Sequence, residues 1–158
     1  MENGTIEMLE KAGVSDRLKK EGFNHDGIQL SFKNHGFRIN LKQLTNKHVT
    51  VYGQTEVTKD LYRKIKKENG IIINNAEDVL PQAIDTDKPF VTFKKNGVEK
   101  KIMCDLVAGC DGFHGISRSI IPKSIIKTYE RTYPFGWWGI LSETPPVSVE
   151  LIYANHGK

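Results

Sequence analysis

The sequence predicts an α/β fold of the mixed α+β kind, and three observations carry that prediction. Two stretches place apolar residues at helical spacing, one over Ile6–Lys20 and one over Thr55–Gly70. Several short alternating runs are punctuated by Gly, Asn and Pro in the manner of β-hairpins. A short apolar run, "DLVAG", leads into a glycine-rich loop, as a buried parallel strand does. A chain of 158 residues, 38% hydrophobic and 27% charged, is long enough and ordinary enough in composition for a soluble globular core.

In chain order, Ile6, Leu9, Val14 and Leu18 lie near one helical face, and Gly22 supplies a stop. "GIQLSF" and "FRINL" alternate around "KNHG", a hairpin expected to turn at Gly36. "HVTVYG" reads as a short strand running into Gly53. In the next helix Val57, Leu61 and Ile65 form a core-facing stripe, with Thr55 expected to cap the start and Asn69-Gly70 the end. Gln54 then stands just outside a helix N-terminus, where unpaired N–H groups welcome anions and polar ligand atoms.

"GIIINN" and "AEDVL" read as strands, and "PFVTFKKNGVEKKIMC" as a hairpin turning at Asn96-Gly97. "DLVAG" is the expected buried parallel strand, with "IIIN" as its upstream neighbour, and Pro122 limits any helix after it. From about Ile125 the texture becomes aromatic and β-rich, and "WWGIL" and "SVELIYAN" read as strands. This change places an expected domain boundary near residue 125, dividing 1–125 from 126–158.

Several function classes are disfavoured. No segment approaches the ~18–20 consecutive apolar residues of a membrane span. The start, "MENGTIEMLEK", lacks the features of a signal peptide, so a cytoplasmic location is expected. The net charge of +4 is spread over separate lysines without a docking element, so neither nucleic acid nor membrane is an expected partner. An anionic small molecule needs only one or two of these charges. Cys104 and Cys110 read as reduced, packed thiols, and no metal site is expected.

The densest chemistry lies in "LVAGCDGFHGISR", Leu106–Arg118. Gly109, Gly112 and Gly115 let the backbone turn tightly or approach a ligand closely. Asp111 stands at the carboxyl end of the expected strand, where open α/β sheets bind ligands. It can accept hydrogen bonds from its own loop or from a ribose or ribityl hydroxyl. His114 and Arg118 share a face if a helical turn begins here, and such a pair suits the phosphates of a nucleotide. The plainer reading is a tight turn in which Asp111 caps a short helix and His114 is an ordinary surface residue.

"GCDGFHGISR" resembles the Asp-Gly motif of the class A flavoprotein aromatic hydroxylases. "VTVYGQTEVTKDL", "YPFGWWGIL" and "TPPVSVELIYANH" narrow the resemblance to the members that act on 4-hydroxybenzoate. The likeness covers essentially the whole chain. It implies a partial FAD-binding, Rossmann-like domain over 1–125 and the start of a β-rich substrate domain over 126–158. It also implies a reaction in which FAD, reduced by NADPH, activates molecular oxygen to hydroxylate 4-hydroxybenzoate to 3,4-dihydroxybenzoate.

By the same resemblance, Gln54 contacts FAD, Asp111 serves the FAD side and shapes the NADPH approach, and His114 and Arg118 belong to NADPH binding. Tyr153 matches the tyrosine that bonds the substrate phenol, and Trp137 an aromatic lining the substrate region; Trp138 is expected to pack. The complete enzyme is expected to be a homodimer.

The family's N-terminal G-x-G-x-x-G unit, its second flavin motif and its substrate-carboxylate residues have no counterpart here. An internal fragment, inactive by itself, is therefore the expectation. A non-catalytic remnant or interaction module that does not bind FAD is the alternative.

Overall fold

The computed structural model describes residues 1–33 and 35–156. It contains four helices and eight strands among them, so the mixed α/β expectation holds. The chain divides into two compact units, Met1–Ile71 together with Ile140–Lys158, and Ile72–Gly139.

The first unit opens with α1 (Asn3–Lys11) and α2 (Asp16–Glu21), where the sequence predicted one continuous helix. The break is made by Gly13, whose φ of +67° is left-handed. Around it the Gly13 N–H donates to Glu10 O and the Val14 N–H to Leu9 O, each at 2.9 Å. This is the Schellman closure of a helix end, and it needs a residue that adopts positive φ without strain. Ile6, Val14 and Leu18, on either side of the reversal, are all buried, Leu18 being only 3% exposed. Full burial of a leucine contributes about 2 kcal/mol.

β1 (Phe23–His25) pairs antiparallel with β4 (Val49–Val51). A separate three-stranded sheet has the order β3-β2-β8, from β2 (Gly27–Phe32), β3 (His35–Asn40) and β8 (Leu151–Asn155). The β2–β3 ladder closes at Phe32 opposite His35 and places Gly36 opposite Ser31. Gly36 is thus a strand residue and not the turn; Asn34 lies outside the described residues. β8 runs parallel to β2, with Tyr153 opposite Leu30.

After β3 comes a short helix that sequence reading missed, α3 (Leu41–Thr45), whose start is capped by Asn40 Oδ1 accepting the Gln43 N–H at 3.0 Å. α4 (Gln54–Lys67) takes Gly53 as its N-cap, so Thr55 lies inside the first turn and Gln54 is the first helical residue. Its end agrees with the sequence: Asn69, at φ +58°, and Gly70 close it, with the Gly70 N–H on Ile65 O at 2.8 Å.

The second unit is built on an antiparallel sheet of order β5-β6-β7, from β5 (Glu77–Gln82), β6 (Phe90–Lys95) and β7 (Val98–Met103). Asn96 and Gly97 both have positive φ, which is the type I′ turn that an Asn-Gly pair favours. Phe93, 5% exposed, is the buried centre of this sheet.

Three expected strands are not formed. "IIIN", "DLVAG" and "WWGIL" carry no strand pairing among the described residues, and Leu106 is 83% exposed. Apolar composition alone does not make a strand, because the ladder requires a partner for every N–H and C=O. Trp138, expected to pack, is 91% exposed.

Candidate functional site

The first unit carries Gln54 and Tyr153. Gln54 is exposed at the head of a fourteen-residue helix, where the first N–H groups have no intrahelical acceptor. Behind it lies a polar network that the sequence did not announce. Asp60, one turn and a half further along α4, is buried, whereas Leu61 and Ile65 of the expected core stripe remain more than a third exposed. The Asp60 carboxylate accepts from Arg17 Nη1 at 2.7 Å and from the Tyr52 hydroxyl at 2.8 Å. Arg17 also reaches Glu56 Oε2 at 2.7 Å and Glu21 Oε2 at 2.9 Å.

The network shifts its members in the directions these contacts require. The Lys59 ammonium and then the Arg17 guanidinium hold the Glu56 carboxyl down at about 2. Burial would push Asp60 upward, but the Tyr52 hydroxyl and Arg17 outweigh it and keep the carboxyl below its usual range. Burial, reinforced by Asp60, pushes the Tyr52 phenol up to about 12, so Tyr52 remains a donor at neutral pH. Glu56, Glu21 and Asp60 together raise Arg17 above its already high value.

Tyr153 sits in β8 and is half exposed. β8 is tied to its sheet by a two-pronged ion pair, in which Arg38 Nε and Nη2 donate to Glu150 at 2.6 and 2.8 Å. Such planar forks are the strongest form of the arginine–carboxylate contact.

The second unit carries Asp111, His114, Arg118 and Trp137. Asp111 Oδ2 accepts the Ser117 N–H at 2.9 Å, and that bond is the main reason its carboxyl is held below the usual range. The loop closes tightly enough that a Cβ on Gly115 would lie 2.1 Å from Asp111 Cγ. Of the two hydrogen-bonding roles open to Asp111 in the sequence, the structure thus displays the one toward its own loop. A carboxylate has more acceptor sites than this bond uses.

His114 and Arg118 are in turn structure and not on a helical face. What relates them is Phe113: the Arg118 guanidinium lies 5.4 Å from the Phe113 ring centre, and the His114 ring meets it edge-on at 5.1 Å. This cation–π contact keeps a planar cation exposed but oriented. Sequence reasoning passed over Phe113, although an aromatic flanked by His and Arg was its signal. Trp137 is 93% exposed, outside any strand.

Comparison with known proteins bears on both units at once. The family profile described as "FAD binding domain" matches residues 1–158. The chain is also 46% identical over 157 residues to the p-hydroxybenzoate hydroxylase of Acinetobacter baylyi, covering 98% of this chain and 38% of that protein.

The chain belongs to the FAD-binding class A aromatic hydroxylase family.

It spans well under half the length of that relative. Each unit carries groups that suit the family's cofactor. FAD presents ribityl hydroxyls and an anionic pyrophosphate. The first unit offers a carboxamide at a helix start; the second, taken by itself, offers a loop carboxylate with spare acceptor sites and an exposed guanidinium. No helix among the described residues is long and apolar enough to cross a membrane.

Proposed function

We propose that this chain supplies flavin-facing and phenol-facing residues of an NADPH-consuming monooxygenase that converts 4-hydroxybenzoate to 3,4-dihydroxybenzoate. The observation that supports this most is the 46% identity to a p-hydroxybenzoate hydroxylase over a span that includes all the candidate residues. When bound, FAD reduced by NADPH supplies the activation of molecular oxygen that the reaction needs.

The residues divide the remaining work. Gln54 hydrogen-bonds polar atoms of the flavin nucleotide from the head of α4. Asp111 accepts from a cofactor hydroxyl while its loop bond to Ser117 holds its direction. His114 and Arg118 attract the phosphates of NADPH, with Phe113 orienting the guanidinium. Tyr153 hydrogen-bonds the substrate phenol, stabilises the phenolate and passes its proton on. Ionising the phenol is productive because it raises electron density at the ortho carbon that accepts the hydroxyl. Trp137 contributes an aromatic wall to the substrate region.

In this reading residues 1–125 belong to the FAD-binding domain and residues 126–158 open the substrate domain of a cytoplasmic homodimer. The 158 residues contain no G-x-G-x-x-G turn to hold a pyrophosphate, so by themselves they bind FAD weakly and do not turn over.

The test is titration of the isotope-labelled chain with FAD, followed by amide NMR shifts. Saturable shifts at Gln54 and in the 109–118 loop are expected, and Gln54→Ala should abolish the former. No shift at either place with about 5 mM FAD, where even a millimolar complex would populate, overturns the flavin-facing assignment. NADPH oxidation stimulated by 4-hydroxybenzoate would instead contradict the expected inactivity of the chain.

A further inference from the structure

Gln54 is exposed and makes its contribution only if the first turn of α4 is held still. A helix's first turn frays readily, because its leading N–H groups lack partners. The N-cap of α4, Gly53, has no side chain to supply one. Yet this turn is clamped from outside the helix. Arg17, on α2, donates to Glu56 at 2.7 Å and to Asp60 at 2.7 Å, bridging the first turn and the second. Tyr52, immediately before the N-cap, donates to Asp60 at 2.8 Å, so the chain entering the helix is tied to the helix it enters. Lys59 holds the other oxygen of Glu56 at 2.6 Å.

We propose that Arg17, Tyr52 and Asp60 are positioning residues that fix the first turn of α4 and thereby the direction of the Gln54 carboxamide. The geometry is specific. Tyr52 and Arg17 take different oxygens of the one buried carboxylate, Oδ2 and Oδ1, so Asp60 cannot rotate without losing a partner. Arg17 spans two carboxylates with two separate nitrogens, which a lysine's single ammonium cannot reproduce. Gly53 and Gln54 lie between the two anchored positions, Tyr52 and Glu56. The consequence for the cofactor rests on the reading of Gln54 as a flavin contact; the clamp does not.

The experiment compares wild type with Tyr52→Phe, Arg17→Lys and Asp60→Asn by hydrogen exchange of individual amides, with thermal unfolding measured alongside. The N–H groups of Glu56 and Val57, which both donate to Gly53 O, report the first turn, and the Glu68 N–H, on Lys64 O, reports the far end. Exchange at Glu56 and Val57 should accelerate about tenfold in each variant, with less than a twofold change at Glu68. The Gln54 side-chain amide signals should sharpen toward free-glutamine values. A merely structural role would speed exchange along the whole helix in proportion to lost stability, and that result overturns the proposal, as does an unchanged first turn. Should Asp60→Asn unfold, Tyr52→Phe, which deletes one hydroxyl, still decides. A loosened first turn with unaltered FAD-induced shifts upholds the clamp and removes Gln54 from the flavin site, so the two ideas fail separately.

Discussion

Asp111 accepts the Ser117 N–H at 2.9 Å, and Gly115 sits in the bend between them with no room for a side chain. The Asp-Gly motif therefore works first as a self-closing loop. Gly115→Ala would put a methyl carbon inside the carboxylate, so the loop must open. We expect about 1–3 kcal/mol of destabilisation and faster exchange of the Ser117 amide. Gly136→Ala, where a Cβ meets nothing within 4 Å, should be neutral to within about 0.5 kcal/mol.

Acid should weaken the first unit through its depressed carboxylates. Glu56, facing Lys59 and Arg17, falls from its ordinary 4.5 to about 2, and Asp60, facing Tyr52, Arg17 and Arg63, is also lowered. Between those limits the unfolded chain binds more protons than the folded one, so stability rises with pH. The contribution is complete above about pH 4.5 and is lost as pH falls toward about 2. Urea unfolding across this range checks it. In Arg17→Leu the slope with pH should flatten, and added salt should reduce the effect because these charges are partly solvated.

Leu18, on α2, is the most buried apolar side chain of the first unit's described residues, at 3% exposure. Leu18→Ala should cost about 2–5 kcal/mol, read as a lower urea midpoint at unchanged slope. Gly13→Ala, at φ +67°, should cost about 1–2 kcal/mol without touching the core.

Arg38, on β3, and Glu150, just before β8, tie the strand into the sheet where it pairs with β2. In Arg38→Met the amides of Leu151–Asn155 should exchange about fivefold faster, and the tyrosine ring signals of Tyr153 should shift. Unchanged exchange there would mean that the β-ladder alone holds the strand.

Tyr153→Phe tests the phenolate role wherever hydroxylation of 4-hydroxybenzoate is measured. Substrate affinity should stay within about threefold while hydroxylation slows about 10²-fold, the scale of a lost proton-transfer group. Unaltered hydroxylation would remove Tyr153 from the chemistry.

Local patterns were legible where the determining interaction is local. Asn96-Gly97 announced its turn because both positions take positive φ, and Asn69-Gly70 announced the end of α4 because Asn69 takes positive φ there. Gly13 carried the same signal but was overridden by the apolar spacing of Ile6, Leu9, Val14 and Leu18, which a bent pair of helices satisfies as well as a straight one. The strands predicted at "IIIN", "DLVAG" and "WWGIL" failed because apolar content says nothing about the presence of a pairing edge.

The candidate site divides in the same way. Asp111 and the glycines around it, Gln54 near a helix start, and Tyr153 in a strand were all visible as residue types in a pattern. Phe113 between His114 and Arg118, and the clamp of Arg17 and Tyr52 on Asp60, were not. The Asn96-Gly97 turn, the end of α4 and family membership were determined by the sequence itself, since each depends on neighbours along the chain. Which charged group is buried, and which oxygen it offers to which partner, was decided only by the tertiary structure. A carboxylate such as Asp60 is stable out of water only when residues forty-three and eight positions away converge on it.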